Sequence, residues 1–187
     1  MAVGVLALQG AFAEHEAVLD RLGEEWFEIR SPEGLRKGMD GIILPGGEST
    51  VQGKLLRDLG MMDELRAMIR GGLPVLATCA GMILLAERIE GDGAVHLGTM
   101  PVTVRRNAYG RQLGSFDARG SFGGIGDVEM RFIRAPFLTE LRDGAEALSV
   151  VDGNVVAARF GNQVATAFHP ELTDDDRVHR YFLDILD

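Results

Sequence analysis

The first ninety residues alternate short apolar runs with amphipathic segments. Continuous apolar runs at 3–8, 41–44 and 74–78 predict strands that are buried on both faces. A further strand is predicted at 25–29 and a short connecting segment at 33–39. Apolar residues at helical spacing predict helices at 11–23, 50–59, 61–70 and 80–89. Strands that alternate with helices in this way indicate a parallel sheet covered on both faces.

Beyond residue 90 the pattern changes to short strands separated by glycine-bearing turns. The predicted strands are 100–104, 112–116, 128–133, 147–151, 154–160 and 163–168. The segment "VDGNV" at 151–155 predicts a hairpin turn. The glycines of 118–128 predict a mobile loop, and a final amphipathic helix is predicted at 174–186. We expect one α/β domain over 1–187, with a mixed sheet.

Composition narrows the class of protein. The 187 residues are 46% hydrophobic and 25% charged, with a net charge of −9 and one cysteine. A single cysteine excludes an intrachain disulfide. The N-terminus lacks a basic region and is interpreted as a strand, and no apolar run reaches membrane-spanning length, so we expect a cytoplasmic protein. The negative net charge argues against binding of nucleic acid, whose phosphate backbone requires basic patches. Arginine clusters at 105–106 and 131–134 suit a small anion, or are plain surface charge.

Cys79 lies between a predicted strand and a predicted helix. This is the context of a nucleophile elbow, and Ala80 and Gly81 are small enough for its turn. Unpaired N–H groups at a helix N-terminus stabilise a thiolate, and the N–H of Ala80 would point to where an oxyanion forms. Free cysteine is also among the most buried residue types, so a core position stays the alternative.

A candidate base follows the strand predicted at 163–168. Pro170 favours an extended conformation at His169, and residues i and i+2 of an extended chain point to the same side. Glu171 can therefore face the same site as His169. Cys79, His169 and Glu171 then supply a nucleophile, a base and a carboxylate that orients the base. The alternative is that His-Pro-Glu is only the place where the chain leaves a strand, without a catalytic role.

A third candidate is "LPGGEST" at 44–50, where a buried strand runs into two glycines and then a helix. Adjacent glycines let the backbone approach a ligand and turn an N–H inward, so Gly47 could supply a second oxyanion donor. No Gly-Lys-Ser/Thr follows, which excludes the Walker phosphate loop. A simple β-turn is the alternative.

Six segments together resemble a known family: "LQGAFAEH", "LPGGEST", "ATCAGM", "HLGTMPVTVRRNAYGRQ", "FIRAP" and "FHPELT". They are similar to the glutaminase subunits of pyridoxal 5′-phosphate synthase, which are class I, triad-type glutamine amidotransferases. The segments extend from residue 8 to residue 173. The cysteine elbow and His-Pro-Glu indicate only the superfamily, whereas "LQGxxxEH", "PGGEST" and "RNxxGRQ" are more specific. The chain departs from the superfamily at Ala77, where the elbow usually begins with glycine.

The resemblance implies a flavodoxin-like three-layer α/β/α fold with a mixed, largely parallel central sheet. It implies hydrolysis of L-glutamine to L-glutamate and ammonia, with Cys79 as nucleophile and His169 and Glu171 completing a triad. The implied glutamine-binding residues are Gly47, Glu48, Ser49, Arg106, Ile133 and Arg134. An arginine is a natural partner for the α-carboxylate of a free amino acid.

A partner is expected, because one domain leaves no room for a second active site that uses the ammonia. The resemblance implies a (β/α)₈-barrel synthase subunit in a large hetero-oligomer, with pyridoxal 5′-phosphate as the partner's product and no cofactor in this chain. Charged residues of the first helix, Glu14 and Glu16, are candidates for docking. With His15 they fit a polar helix face better than a metal site.

Three other functions stay open. The chain could serve a different synthase, such as one making an imidazole or anthranilate precursor, although "LQGxxxEH" and "RNxxGRQ" weigh against it. It could be a silent glutamine-sensing subunit, although it keeps all three candidate catalytic residues. It could be a cysteine protein whose thiol pairs with an early glutamate, which would not need His-Pro-Glu.

Overall fold

The computed structural model describes residues 1–108 and 114–186. Its strands are β1 (Ala2–Leu6), β2 (Glu25–Ile29), β3 (Gly41–Leu44), β4 (Val75–Thr78), β5 (Ala86–Ile89), β6 (Met100–Arg105), β7 (Ser115–Ser121), β8 (Asp127–Ile133), β9 (Phe137–Leu141), β10 (Glu146–Val151), β11 (Asn154–Phe160) and β12 (Gln163–Thr166). Its α-helices are α1 (Phe12–Leu22), α2 (Pro32–Leu35), α3 (Ser49–Asp58), α4 (Met62–Arg70), α5 (Ala80–Leu85) and α6 (Arg177–Leu183).

A large central sheet has the strand order β2-β1-β3-β4-β12-β11-β9-β6-β5, and β10 pairs with β11. The first five strands of this order are parallel to one another. The pairs β12–β11, β11–β9 and β9–β6 are antiparallel, and β5 is parallel to β6. The mixed, largely parallel sheet is therefore confirmed.

Helices cover both faces of the parallel half of the sheet. In the sheet, β2 lies on one side of β1, whereas β3 and then β4 lie on the other side, so the connections β1–β2 and β3–β4 run towards opposite edges. Right-handed crossovers then place α1 on one face and α3 and α4 on the opposite face. Helix α6 joins α1 through a hydrogen bond between His15 and His179, whereas α5 contacts α3. The structure confirms the flavodoxin-like three-layer fold, in which ligands bind at the carboxyl ends of the parallel strands.

Residues 86–89 correct the helix predicted at 80–89. Helix α5 ends at Leu85, and Ala86–Ile89 form a strand beside β6. The apolar run of α5 is buried at every position and so lacks the one-sided pattern that would mark its end. Periodicity cannot separate a short buried helix from a strand. Strand β9 was likewise not predicted, and only its first two residues are buried.

The mobile loop predicted at 118–128 is wrong. Strands β7 and β8 pair antiparallel from Ser115–Ile133 to Ser121–Asp127, so only 122–126 form a turn. The turn is closed by a hydrogen bond from the N–H of Phe122 to the carbonyl of Gly126, at 3.0 Å, and the Phe122 side chain is fully buried. The part of the predicted strand 112–116 before residue 114 lies outside the described residues.

The terminal helix is shorter than predicted, with α6 ending at Leu183. None of the helices described in 1–108 and 114–186 is long and apolar enough to cross a membrane.

Candidate active site

Cys79 occupies a sharp turn between β4 and α5, which confirms the strand–turn–helix context. Its backbone has φ 47° and ψ −100°, a conformation that costs a non-glycine residue about 1–3 kcal/mol. Its N–H donates to the carbonyl of Thr166 at 2.7 Å, which fixes the turn against β12. Ala77 has paired strand geometry, so the departure from glycine there leaves the elbow intact. A Cβ on Gly81 would lie 2.2 Å from the carbonyl oxygen of Leu44, so α5 needs glycine here.

His169 and Glu171 lie at the carboxyl end of β12. Nδ1 of His169 is 2.7 Å from Oε1 of Glu171, and both side chains are buried. The extended chain expected from His169 to Glu171 is wrong, because β12 ends at Thr166 and Pro170–Leu172 form a 3₁₀ turn. This turn instead places Oε1 of Glu171 within hydrogen-bond distance of Nδ1 of His169. The pairing of the two side chains is nevertheless as expected.

The thiol and the imidazole meet beside Gly46. A Cβ on Gly46 would lie 2.3 Å from Cε1 of His169 and 3.4 Å from Cβ of Cys79. Burial lowers the pKa of His169, but hydrogen bonding and charge interactions with Cys79 and Glu171 outweigh it and raise that pKa to about 10. Burial raises the pKa of Glu171, and His169 opposes that shift. The arrangement therefore favours the imidazolium form of His169.

The glycine loop after β3 is held by the "LQG" segment. The carbonyl of Gly46 accepts the N–H of Ala11 at 3.0 Å, and the N–H of Glu48 donates to Oε1 of Gln9 at 2.8 Å. A Cβ on Gly10 would lie 1.8 Å from the carbonyl oxygen of Gly46. Gly10 has φ 106°, and glycine alone fits both this dihedral and this contact.

Two cavities reach Cys79. The first, of about 210 Å³, is lined by Cys79 and by all six residues implied to bind glutamine. These six are Gly47, Glu48, Ser49, Arg106, Ile133 and Arg134. The second, of about 250 Å³, lies on the His169 side and includes Gln9 and Glu14. Ala80, the other predicted oxyanion donor, is the buried first residue of α5. The structure thus brings the predicted site residues together, and their roles stay predictions.

The arginines of the first cavity have specific acidic neighbours. Arg134 donates to Glu48 at 3.0 Å, and Arg106 donates to Asp92 at 2.5 Å. Sequence reasoning missed Asp92, for which no motif gave a signal. Arg134 and Asn107 have φ values of 44° and 47°, so the cavity wall contains two strained backbone positions. The Gly-Arg-Gln part of "RNxxGRQ", residues 110–112, lies outside the described residues.

His15 corrects the polar helix face predicted on α1. Its side chain is fully buried, whereas Glu14 is exposed and Glu16 half-buried. Nε2 of His15 lies 3.2 Å from Oγ1 of Thr78 and 3.5 Å from Oε2 of Glu171. The sequence signal for this burial is the spacing of His15, which lies three, four and seven residues before Val18, Leu19 and Leu22 on one apolar stripe. In the described part of the chain, no three His, Cys, Asp or Glu side chains form a metal-holding group.

Comparisons with known proteins show the family of the chain. A relative from Desulfitobacterium hafniense (strain Y51), named pyridoxal 5′-phosphate synthase subunit PdxT, is 55% identical over 184 residues, covering 98% of this chain and 92% of its own. A relative of the same name from Methanocorpusculum labreanum is 57% identical over 186 residues, covering 100% and 98%. A crystal structure described as a glutamine amidotransferase superimposes with a TM-score of 0.94 and 46% identity over 98% of each chain. Residues 5–187 match the SNO glutamine amidotransferase family, and the chain belongs to that family.

Proposed function

We propose that this chain is the glutaminase subunit of a pyridoxal 5′-phosphate synthase, and that it hydrolyses L-glutamine and supplies the ammonia for vitamin B6 synthesis. The observation that carries the proposal is the position of Cys79, at an elbow beside His169 and in the wall of a cavity of about 210 Å³. Relatives that are 55–57% identical over nearly the whole chain carry the name of this subunit. Residues 1–187 act as one glutaminase domain.

The first cavity has the charges that a free amino acid requires. Glutamine carries an α-ammonium and an α-carboxylate, and the cavity wall offers the carboxylate of Glu48 and the guanidinium groups of Arg106 and Arg134. Charge-assisted hydrogen bonds to these groups fix the α-carbon end. The side-chain amide then extends to Cys79, which shares the cavity.

Acyl transfer proceeds through a thioester. The thiolate of Cys79 attacks the amide carbon, and the N–H groups of Gly47 and Ala80 hold the oxyanion. The C–N bond then breaks, and His169 gives its proton to the departing nitrogen, which leaves as ammonia. His169 next takes a proton from water, and the resulting hydroxide attacks the thioester to release L-glutamate and restore the thiolate. Glu171 orients the imidazole and stabilises its charged form throughout.

The ammonia is used by a partner. If this chain supplies ammonia, a second subunit of the synthase must consume it. We propose that this second subunit is a (β/α)₈ barrel and that the two form a large hetero-oligomer. Pyridoxal 5′-phosphate is then the product of that partner, and this chain uses no cofactor. The cavity on the His169 side, with Gln9 and the exposed Glu14 in its wall, lies next to the charged face of α1 and supports docking there.

Ammonia release from glutamine tests the proposal. We would measure it for the chain alone and mixed with a pyridoxal 5′-phosphate synthase barrel subunit, with Cys79→Ala as the control. We expect turnover in the mixture and none with Cys79→Ala, which keeps the cavity residues that bind glutamine. Hydrolysis that survives in Cys79→Ala would overturn the assignment of the nucleophile. Turnover that responds only to a different synthase would overturn the assignment of the pathway.

A further inference from the structure

His15 is a fully buried histidine that the proposed reaction does not use. It extends from α1 to α6 on one side and to the triad on the other. Its Nδ1 lies 2.9 Å from Nε2 of His179, and its Nε2 faces both Oγ1 of Thr78 at 3.2 Å and Oε2 of Glu171 at 3.5 Å. Buried ring nitrogens are costly unless they have partners, so the direction of each hydrogen bond is informative.

The second carboxylate oxygen of Glu171, Oε2, indicates which nitrogen of His15 carries the proton. Oε1 accepts the hydrogen bond of His169, whereas Oε2 makes no hydrogen bond within residues 1–108 and 114–186. A buried carboxylate oxygen without a donor is costly. A proton on Nε2 of His15 would face this oxygen, and a lone pair there would repel it.

The hydrogen-bond chain selects the tautomer of His15. Burial, then His179 and His169, lower the pKa of His15 well below its ordinary value, so the ring is neutral and carries one proton. Burial also lowers the pKa of His179, to about 4. Nδ1 of His179 has no partner among the described residues, and a bare nitrogen there costs less than an unpaired N–H. His179 therefore donates from Nε2 to Nδ1 of His15, and His15 carries its proton on Nε2.

We propose that His15 is a positioning residue of the glutaminase site, whose Nε2–H faces Oε2 of Glu171 and keeps Oε1 of that carboxylate on His169. The role of His179 is to fix the tautomer of His15. This inference rests on the proposed function. Oγ1 of Thr78 also accepts the N–H of Gly46 at 3.0 Å, so the same ring contacts the support of the glycine loop.

Loss of His15 acts on catalysis through Glu171. Without the Nε2–H, the carboxylate loses its charge or its orientation more easily, and the His169 imidazolium loses stabilisation. Glu14 is the other charged neighbour that acts on Glu171, and it raises the pKa of that carboxyl group. His15 does not line the cavity with Arg106 and Glu48, so binding of glutamine should be unaffected.

Two substitutions separate positioning from packing. His15→Leu keeps an apolar side chain of similar size, and His15→Gln keeps an N–H donor near the place of Nε2. In the complex with the barrel subunit, we expect His15→Leu to lower kcat by about tenfold to a hundredfold with KM little changed, because the triad carboxylate is worth up to about 10⁴ in kcat. His15→Gln should recover most of the loss. Val18→Ala, on the same buried stripe, controls for loss of stability alone.

Alkylation of Cys79 by iodoacetamide gives a readout independent of glutamine turnover, because the chain has one cysteine. We expect the pH profile of the alkylation rate to move to higher pH in His15→Leu, with a rate about tenfold lower near pH ~6.5, and to stay in place in His15→Gln and Val18→Ala. An unchanged profile in His15→Leu would overturn the positioning role, even if kcat falls. If the unsubstituted complex releases no ammonia, the proposed function fails and this profile alone decides the role of His15.

Discussion

Arg134 donates a hydrogen bond from Nη2 to Oε1 of Glu48 at 3.0 Å, and this ion pair connects two separate parts of the cavity wall. Glu48 precedes α3, whereas Arg134 follows β8. Both side chains are more than half exposed, so the pair adds little to the stability of the fold. Both residues line the cavity that contains Cys79, so we propose that the pair serves substrate binding.

Glu48→Gln should therefore raise the KM for glutamine by about tenfold and leave the melting temperature unchanged. The reason is that a hydrogen bond to a charged group contributes about 1.5–3 kcal/mol, and the substrate loses its anionic partner. Steady-state kinetics together with a thermal melt check this. An unchanged KM would remove Glu48 from the glutamine site.

Gly46→Ala should lower the turnover rate by about a hundredfold, with a smaller effect on the free energy of unfolding. The added Cβ would lie 2.3 Å from Cε1 of His169, and the imidazole must move to accommodate it. A displacement of about 1 Å at a catalytic group costs on the order of a hundredfold in rate. Gly93→Ala is the matched control, because nothing lies within 4 Å of its added Cβ. Equal activity of the two variants would contradict the geometry of the thiol and the imidazole.

The raised pKa of His169 predicts how stability depends on pH. The pKa of His169 is about 10 in the folded chain and lies near 6.5 in the unfolded chain, so the folded state binds the extra proton between these values. The contribution to stability is fully present below about pH 6.5 and is lost as the pH rises towards 10. Urea unfolding across this range should show a falling free energy of unfolding. The fall should be smaller in His169→Gln, and an equal fall in both proteins would contradict the shift.

The sequence predicts the parallel half of the fold better than the rest. β1, β3 and β4 are short apolar runs, a pattern that is typical of strands buried in a parallel sheet. The β7–β8 ribbon was mistaken for a loop at 118–128, because glycines interrupt the hydrophobic alternation of its sequence. In the paired ribbon the burial of the side chains alternates without a break. Pairing with a distant strand also decides that 86–89 leave the helix.

The residues of the candidate site likewise differ in how well the sequence predicts them. Cys79, His169 and Glu171 each carry a local signal, because an elbow and a His-Pro-Glu segment occupy a few adjacent positions. Asp92 gave no such signal, and the spacing of His15 indicated only burial, because their contacts are made with residues outside their own segments. A histidine on an apolar stripe becomes informative only when the fold shows which polar atoms it faces.

Asp175 should stabilise the start of the terminal helix. Its carboxylate binds the guanidinium of Arg177 at 2.6 Å and accepts the N–H of Glu129 at 3.2 Å, which connects α6 to β8. The hydrogen bond from Arg177 is the largest cause that lowers the pKa of Asp175 to about 2. Asp175→Asn should cost about 1–3 kcal/mol at neutral pH, and the difference should vanish as the pH falls from about 4 to 2. Denaturant unfolding at both pH values checks this, and a constant difference would contradict it.

Charge reversal on α1 tests where the synthase subunit docks. Glu14 is exposed and lies in the wall of the cavity that contains Cys79 and His169, and Glu16 is half-buried on the same helix. If the proposed barrel subunit docks here, Glu14→Lys should weaken its association by about fivefold to thirtyfold, equivalent to about 1–2 kcal/mol, because the charge of the docking contact is reversed. Glu25→Lys is the matched control, since Glu25 is exposed at the amino end of β2, away from the carboxyl ends of the strands that form the site. Titration of each variant with the barrel subunit, followed by light scattering and by ammonia release, measures the two effects together. Equal affinity and equal activation of Glu14→Lys and Glu25→Lys would place the docking surface elsewhere.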